Sequence, residues 1–331
     1  MIILAILTIF FIFAQANSNP SVYINEIPVI PPFKVGFGGV WDPRVSSTYF
    51  VDHYSNNCYR YSWIEDRMYK ATVETNFTIS FLFPSREAVN QFLVGAGNTI
   101  ILVEWDGASE TAKLVKVVCE VEANTGNIMN HAVASQFGEL IFGTFAPKLC
   151  GANVTQGVYQ LERNKNQSVV KTLFTDVKVT SGVAIDEKLS VLYHLDGCLQ
   201  ELTAYDRNVI TGDLSNKRVV IKFNFPSYTL MVGLIIDSDG HLYTGLYGGS
   251  ALVWINTKSR TYRLIETPTP FVGDPGFSGR DNNKLTVATG TATPYFSTGQ
   301  LNMTIDTPLA GSVLRINGLG TRSSGTRLPA T

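Results

Sequence analysis

One phrase recurs along this chain and limits the folds open to it. It consists of a small residue, a short apolar run, an Asp or Ser, a turn, and then an apolar-aromatic strand. The copies are Gly39-Val40-Trp41-Asp42 ahead of Thr48-Tyr49-Phe50-Val51-Asp52, Ala132-Val133-Ala134-Ser135 ahead of Leu140-Ile141-Phe142-Gly143, Gly182-Val183-Ala184-Ile185-Asp186 ahead of Val191-Leu192-Tyr193, and Gly233-Leu234-Ile235-Ile236-Asp237 ahead of Leu242-Tyr243-Thr244. Self-similarity at a fixed period is the mark of a stacked or circular array of one supersecondary unit.

The spacing sets the number of units. Ser135, Asp186 and Asp237 are each 51 residues apart, and Asp42 precedes Ser135 by 93, room for one intervening copy. That copy reads at Phe92-Leu93-Val94-Gly95 through Val103, and a less regular sixth at Phe277 through Val287. Six units of roughly 40–50 residues, each with room for four short strands, predict an all-β, six-bladed β-propeller of four-stranded antiparallel blades. Alternation in Tyr59–Trp63 and Thr78–Phe83 supports strands. Asp106-Gly107 and Asp237-Ser238-Asp239-Gly240 supply turns, the second a better turn than a calcium loop because it lacks the late Glu. The propeller is expected over 36–320, after an extended Pro-rich lead-in over 17–35. A polar loop is expected over 289–307 and a disordered Ser-, Gly- and Arg-rich tail over 321–331.

The first 16 residues form a separate object. Ile2 to Phe13 is almost wholly apolar, and Ala14-Gln15-Ala16 places small residues where a signal peptidase reads. A secreted, extracellular chain beginning at Asn17 is expected, with no membrane span in the mature part, because so short a run cannot cross about 30 Å of hydrocarbon. Sequons at Asn76, Asn153, Asn166 and Asn302 agree with a glycoprotein. The four cysteines, Cys58, Cys119, Cys150 and Cys198, agree with two disulfides. Three pairings are open; Cys119 with Cys150, flanking one repeat boundary, is the favoured one. A net charge of −1 gives no reason to expect nucleic acid as a partner.

Several of these segments together resemble the senescence-marker-protein, gluconolactonase and luciferin-regenerating-enzyme family, the regucalcin-like propellers. They are Gly36-Phe37-Gly38-Gly39-Val40-Trp41-Asp42 with Tyr49-Phe50-Val51-Asp52, Phe92–Gly95 leading to Trp105-Asp106, Leu140–Phe145, and the closing Ala310-Gly311-Ser312-Val313-Leu314-Arg315-Ile316-Asn317-Gly318-Leu319-Gly320. The resemblance implies one divalent metal in the central channel, held by a Glu, an Asn and an Asp at the starts of inner strands, with a further Asn for substrate. Five residues before each repeat Asp or Ser, those positions hold Phe37, Ser181 and Val232, while the substrate Asn is kept as Asn130, followed by His131. Both carboxylates are gone, and a hard cation needs several oxygen ligands, usually some of them anionic.

The expectation is therefore a pseudoenzyme with no catalytic residue, no metal and no cofactor. Its channel pocket, lined by Phe37, Asn130, His131, Ser181 and Val232, would bind a small organic ligand or a protein. The alternative is a calcium- or zinc-dependent lactone hydrolase with ligands drawn from elsewhere. His53 and His194 are expected away from the axis and His241 in a turn. No Gly-x-Ser-x-Gly elbow, His-Glu-x-x-His pair or phosphate-binding glycine loop is present.

Overall fold

The computed structural model describes residues 22–53, 55–146, 150–151, 156–164, 167–292, 307 and 309–331. The expected leader (1–16), the sequons at Asn153, Asn166 and Asn302, and most of the 289–307 loop lie outside the described residues. The described residues form strands, turns and bends and no helix. Among them no helix is long and apolar enough to cross a membrane.

The strands follow one another as antiparallel meanders. After β1 (Tyr23–Ile27), the strands β2 (Gly36–Asp42), β3 (Ser47–Asp52), β4 (Asn57–Ser62) and β5 (Arg67–Val73) make the first run. β6 (Ile79–Pro84), β7 (Gln91–Ala96), β8 (Thr99–Glu104) and β9 (Thr111–Glu120) make the second. Next come β10 (Ile128–Ala134), β11 (Leu140–Phe145), β12 (Gln156–Asn164) and β13 (Gln167–Val177), followed by β14 (Gly182–Asp186), β15 (Val191–Asp196), β16 (Glu201–Arg207) and β17 (Leu214–Lys222). Then follow β18 (Leu230–Ile236), β19 (Leu242–Tyr247), β20 (Ala251–Asn256) and β21 (Thr261–Glu266), and finally β22 (Val272–Ser278), β23 (Lys284–Thr289) and β24 (Val313–Asn317).

Hydrogen bonding defines five sheets, four of four strands and one of eight, instead of the six separate sheets expected. The eight-stranded sheet arises because the outer strands of the first two runs touch. β5 and β9 pair in parallel over Thr72–Thr111 and Val73–Ala112, and Glu74 N–H donates to Ala112 C=O at 3.0 Å. The first strands of the runs pack side by side, β2 on β6, then on through β10, β14, β18 and β22, and β22 packs back on β2 to close a ring. At that closure Gly39 and Gly276 meet: a Cβ on Gly276 would lie 2.1 Å from the Gly39 carbonyl oxygen, so the two strands approach only as glycines.

One segment extends the expectation and one departs from it. The extended lead-in carries a paired strand: β1 lies antiparallel to β24, Tyr23 opposite Asn317 and Ile27 opposite Val313, so residues distant in sequence complete one sheet. Ile27 and Val29 are buried with Phe33, Phe50 and Tyr59, which explains why a Pro-rich stretch holds its place. The copy read at Phe92–Val103 is one strand out of step. The inner strand of that unit is Ile79–Pro84, wholly buried, and its repeat residue is Ser85.

The repeated Asp or Ser has a local cause. Asp42 Oδ1 accepts from Arg44 N–H, Ser85 Oγ from Glu87 N–H, Ser135 Oγ from Phe137 N–H, Asp186 Oδ1 from Lys188 N–H and Asp237 Oδ1 from Asp239 N–H, each at 2.9–3.1 Å. Each caps the turn that follows an inner strand. Ser278 departs, sharing its hydroxyl hydrogen bond with Thr286 instead.

Candidate functional site

The inner strands are bent at one level. β2 shifts register between Gly38 and Val40, β6 between Ile79 and Phe81, β10 between Met129 and Ala132, β18 between Val232 and Ile235, and β22 between Val272 and Pro275. β14 alone keeps an even ladder. A bulge adds an unpaired residue and re-aims its side chain. Here the bulges turn His131 of β10 and Asp274 of β22 into a cavity of about 150 Å³ inside the ring. Its walls come from Trp41, Phe81, Phe83, Val133, Ile235 and Phe277, and its floor from Ser323–Arg327.

The floor is the tail that composition marks for disorder. It is instead tied down across the turns. Ser238 N–H donates to Arg322 C=O, Ser323 N–H to Asn282 C=O, Arg86 N–H to Pro329 C=O and Ala330 N–H to Gly138 C=O, all at 2.8–2.9 Å. Thr321 Oγ1 donates to Asp237, and Arg327 lies 3.6 Å from the Glu187 carboxylate. Small polar residues can be ordered in this way because their backbone groups find partners on four different turns.

Burial works against the charged form of two titratable groups of the cavity, His131 and Asp274. His131 Nδ1 accepts from Val183 N–H at 3.2 Å, which leaves the ring proton on Nε2, and desolvation lowers its pKa to about 4. Burial pushes Asp274 up to about 7, against one long hydrogen bond, 3.4 Å, from Gly38 N–H. Among the described residues no Lys, Arg or His forms an ion pair with it. Gly233, at φ +70°, makes space for this carboxyl: a Cβ there would stand 2.6 Å from Asp274 Oδ1.

The remaining sequence-derived site residues lie one step above this cavity and do not line it. Phe37 and Val232 are buried in one apolar cluster with Leu230, Tyr247 and Phe271. Asn130 Nδ2 donates to Thr180 C=O at 2.7 Å, and Ser181 Oγ accepts from Gly197 N–H at 3.1 Å. The three positions to which the resemblance assigns metal ligands thus present two hydrocarbon side chains and one hydroxyl already in use. This donor set does not fit a hard divalent cation. Asp274 has no counterpart among the sequence-derived residues. Its signal was available: it follows Gly273, which stands five residues before Ser278, as His131 follows Asn130.

The histidines divide. His53 packs on Phe37 and Phe145, ring centroids 5.1 and 5.5 Å away, so it stands beside the channel residues and not away from the axis. His194 lies in β15 against Phe174, its Nε2 3.3 Å from Thr180 Oγ1. Desolvation lowers both, His53 to about 4 and His194 to about 3. His241 lies in the turn after β18, where a ring nitrogen and one carboxylate oxygen each of Asp237 and Asp239 fall within 4.8 Å of one another. Asp237 already accepts from Asp239 N–H, His241 N–H, Tyr243 O–H and Thr321 O–H, which is the bonding of a turn and tail anchor.

The cysteines pair differently from the expectation. Cys150 bonds Cys198, joining the loop after β11 to the turn after β15 in the next sheet, whereas Cys58 and Cys119 are free. Cys119 is on the outer strand β9, across from Ile100 of its own sheet, and Cys58 is buried in β4, so neither reaches the turn level. Asn76, the one described sequon, is exposed between β5 and β6.

A closed ring of antiparallel runs with a cavity inside it defines an all-β, propeller-like protein. Residues 35–291 match the family described as "SMP-30/Gluconolactonase/LRE-like region", and the chain belongs to that family. It is 24% identical to a regucalcin of Danio rerio over 294 residues, 87% of this chain and 92% of the relative. A luciferin-regenerating enzyme has the same fold at TM-score 0.83 and 24% identity, covering 94% of this chain and all of that one. A calcium-binding protein, regucalcin, of Agrobacterium tumefaciens superposes at TM-score 0.73 with 19% identity, over 90% and 94% of the two chains.

Proposed function

We propose that this chain is a secreted member of its family that binds a small organic ligand in its central channel and does not hydrolyse lactones with a divalent metal. The observation that carries this reading is the burial of Phe37 and Val232 in one apolar cluster, where the family resemblance calls for carboxylate ligands. Placing a divalent ion against hydrocarbon there would strip its hydration without charge compensation. Just below, an apolar cavity with few polar groups has the character of a small-ligand site. The six-bladed count belongs to this reading: the ring of six first strands, with the eight-stranded sheet taken as two blades linked at their rims, supports it. Secretion is supported by the apolar leader with Ala14 and Ala16, and by the Cys150–Cys198 bond, which suits an oxidising compartment.

The test has three readouts. In millimolar calcium, zinc or manganese the purified protein should gain little thermal stability. Gluconolactone turnover should stay near background, and protein expressed with its leader should begin at Asn17 and carry glycan. One-to-one divalent binding together with lactone hydrolysis would overturn the reading in favour of the metal-dependent hydrolase. Retention of Met1 without glycan would overturn secretion.

A further inference from the structure

The Asp274 carboxyl is the least explained group in the molecule. Side chains of its kind are seldom buried unless paired. It receives one hydrogen bond at 3.4 Å, although a carboxylate offers about four acceptor sites. Asp274 lines the cavity, as do the polar residues His131, Asn282, Ser323, Ser324, Thr326 and Arg327. Two of these, His131 and Arg327, do not pair with it. His131 is neutral with its proton on Nε2, and Arg327, at the floor, is engaged with Glu187 and Ser324. The cavity that Asp274 lines has Trp41, Phe81, Phe83 and Phe277 among its wall residues. Aromatic faces beside an unpaired carboxylate form a site for a positive charge, since both attract a cation and neither attracts an anion. The volume sets the size: a cavity of about 150 Å³ admits roughly one benzene ring.

We propose that this cavity, formed between the inner strands and the tail, binds a small organic ammonium ion whose apolar body is about one six-membered ring, its N–H groups donating to Asp274. The proposal rests on the reading of the chain as a channel binder and names the chemical class of its ligand. Ionisation of a buried carboxyl without a partner is unfavourable, and an ammonium ion seated beside it offsets that cost. Asp274, with its pKa pushed up to about 7 by burial, is partly protonated at neutral pH in the free protein, so ligand binding should expel a fraction of a proton. The imidazole of His131 stays uncharged through this change and does not repel the incoming cation.

The experiment is calorimetric titration at pH 7 with benzylamine and with benzyl alcohol, the neutral molecule of similar shape, in two buffers of different ionisation enthalpy. Benzylamine should bind one to one, at least tenfold tighter than benzyl alcohol, with release of a fraction of a proton that shows as a difference between the two buffers. Asp274→Asn keeps the side-chain shape and removes a buried acid, so it should fold. It should bring the two ligands within about twofold of each other and abolish the proton release. Val133→Phe, which fills the chamber and leaves Asp274 in place, should weaken both. Equal affinity of the two ligands for the unaltered protein, an amine preference that survives Asp274→Asn, or no binding of either would overturn the proposal. Ring binding without amine preference would leave the channel-binder reading standing, whereas stoichiometric divalent binding with lactone turnover would remove that reading itself.

Discussion

At the residue scale, Asp274 and the buried histidines pull stability in opposite directions with pH. His53, His131 and His194 titrate well below the ordinary 6.5, so the unfolded chain binds more protons than the folded one between about 4 and 6.5, and stability rises across that window. Asp274 is raised from 3.8 to about 7, so the folded state holds the extra proton and stability falls from about pH 4 to 7. Asp274→Asn removes only the falling component. The variant should gain on the parent protein by roughly 3 kcal/mol between pH 4 and pH 8, read from urea midpoints at each pH. A parallel displacement of the two profiles would refute the assignment. The second residue-scale prediction concerns Phe37 and Val232. The double change Phe37→Glu with Val232→Asp introduces two carboxylates into an apolar cluster and should cost the metal-free protein more than about 4 kcal/mol. Calcium or zinc should recover part of that loss in the variant and none in the parent, as thermal melting with and without the ion would show. Unchanged stability of the metal-free variant would mean that these positions are not packed as described.

At the element scale, the bulges and the disulfide do work that single residues cannot. An even ladder would direct successive side chains to alternate faces of the sheet. The bulges in β10 and β22 break that alternation and present His131 and Asp274 to the same enclosed space. The Cys150–Cys198 bond spans 48 residues and joins neighbouring sheets. Chain-entropy arguments assign a loop of that length about 4 kcal/mol of stabilisation, so Cys198→Ala should lower the denaturation midpoint accordingly. Replacing Cys119 should have a much smaller effect, because that thiol bonds to no other sulfur. A Cys119→Ala protein that loses as much as the Cys198→Ala protein would contradict the pairing.

At the scale of the whole molecule, closure depends on two contacts far apart in sequence, β2 on β22 and β1 on β24. Removing residues 1–28 would leave β24 as a bare edge and uncover the cluster around Phe33 and Tyr59. Such a truncation should destabilise the protein by at least about 3 kcal/mol and promote self-association, measured by denaturation and size-exclusion chromatography. A monomeric truncation of unchanged stability would show that the terminal strand is dispensable.

The repeat, and with it the all-β ring, was legible because Asp42, Ser135, Asp186 and Asp237 cap the same turn in successive units, and a turn cap is a local interaction. Phe37 and Val232 were reached in the same way, by counting back from those caps, and both lie in one apolar cluster. Three features depended on tertiary structure. Asp274 acquires its chemistry from Gly233 and Gly38, which lie about 40 and 236 residues away along the chain and meet it only in the closed ring. The tail over 321–331 is ordered by backbone hydrogen bonds to turns that its composition does not encode. Cys150 finds Cys198 and not Cys119 because partner choice follows the level at which each residue sits in its sheet, and sequence distance carries no record of that level.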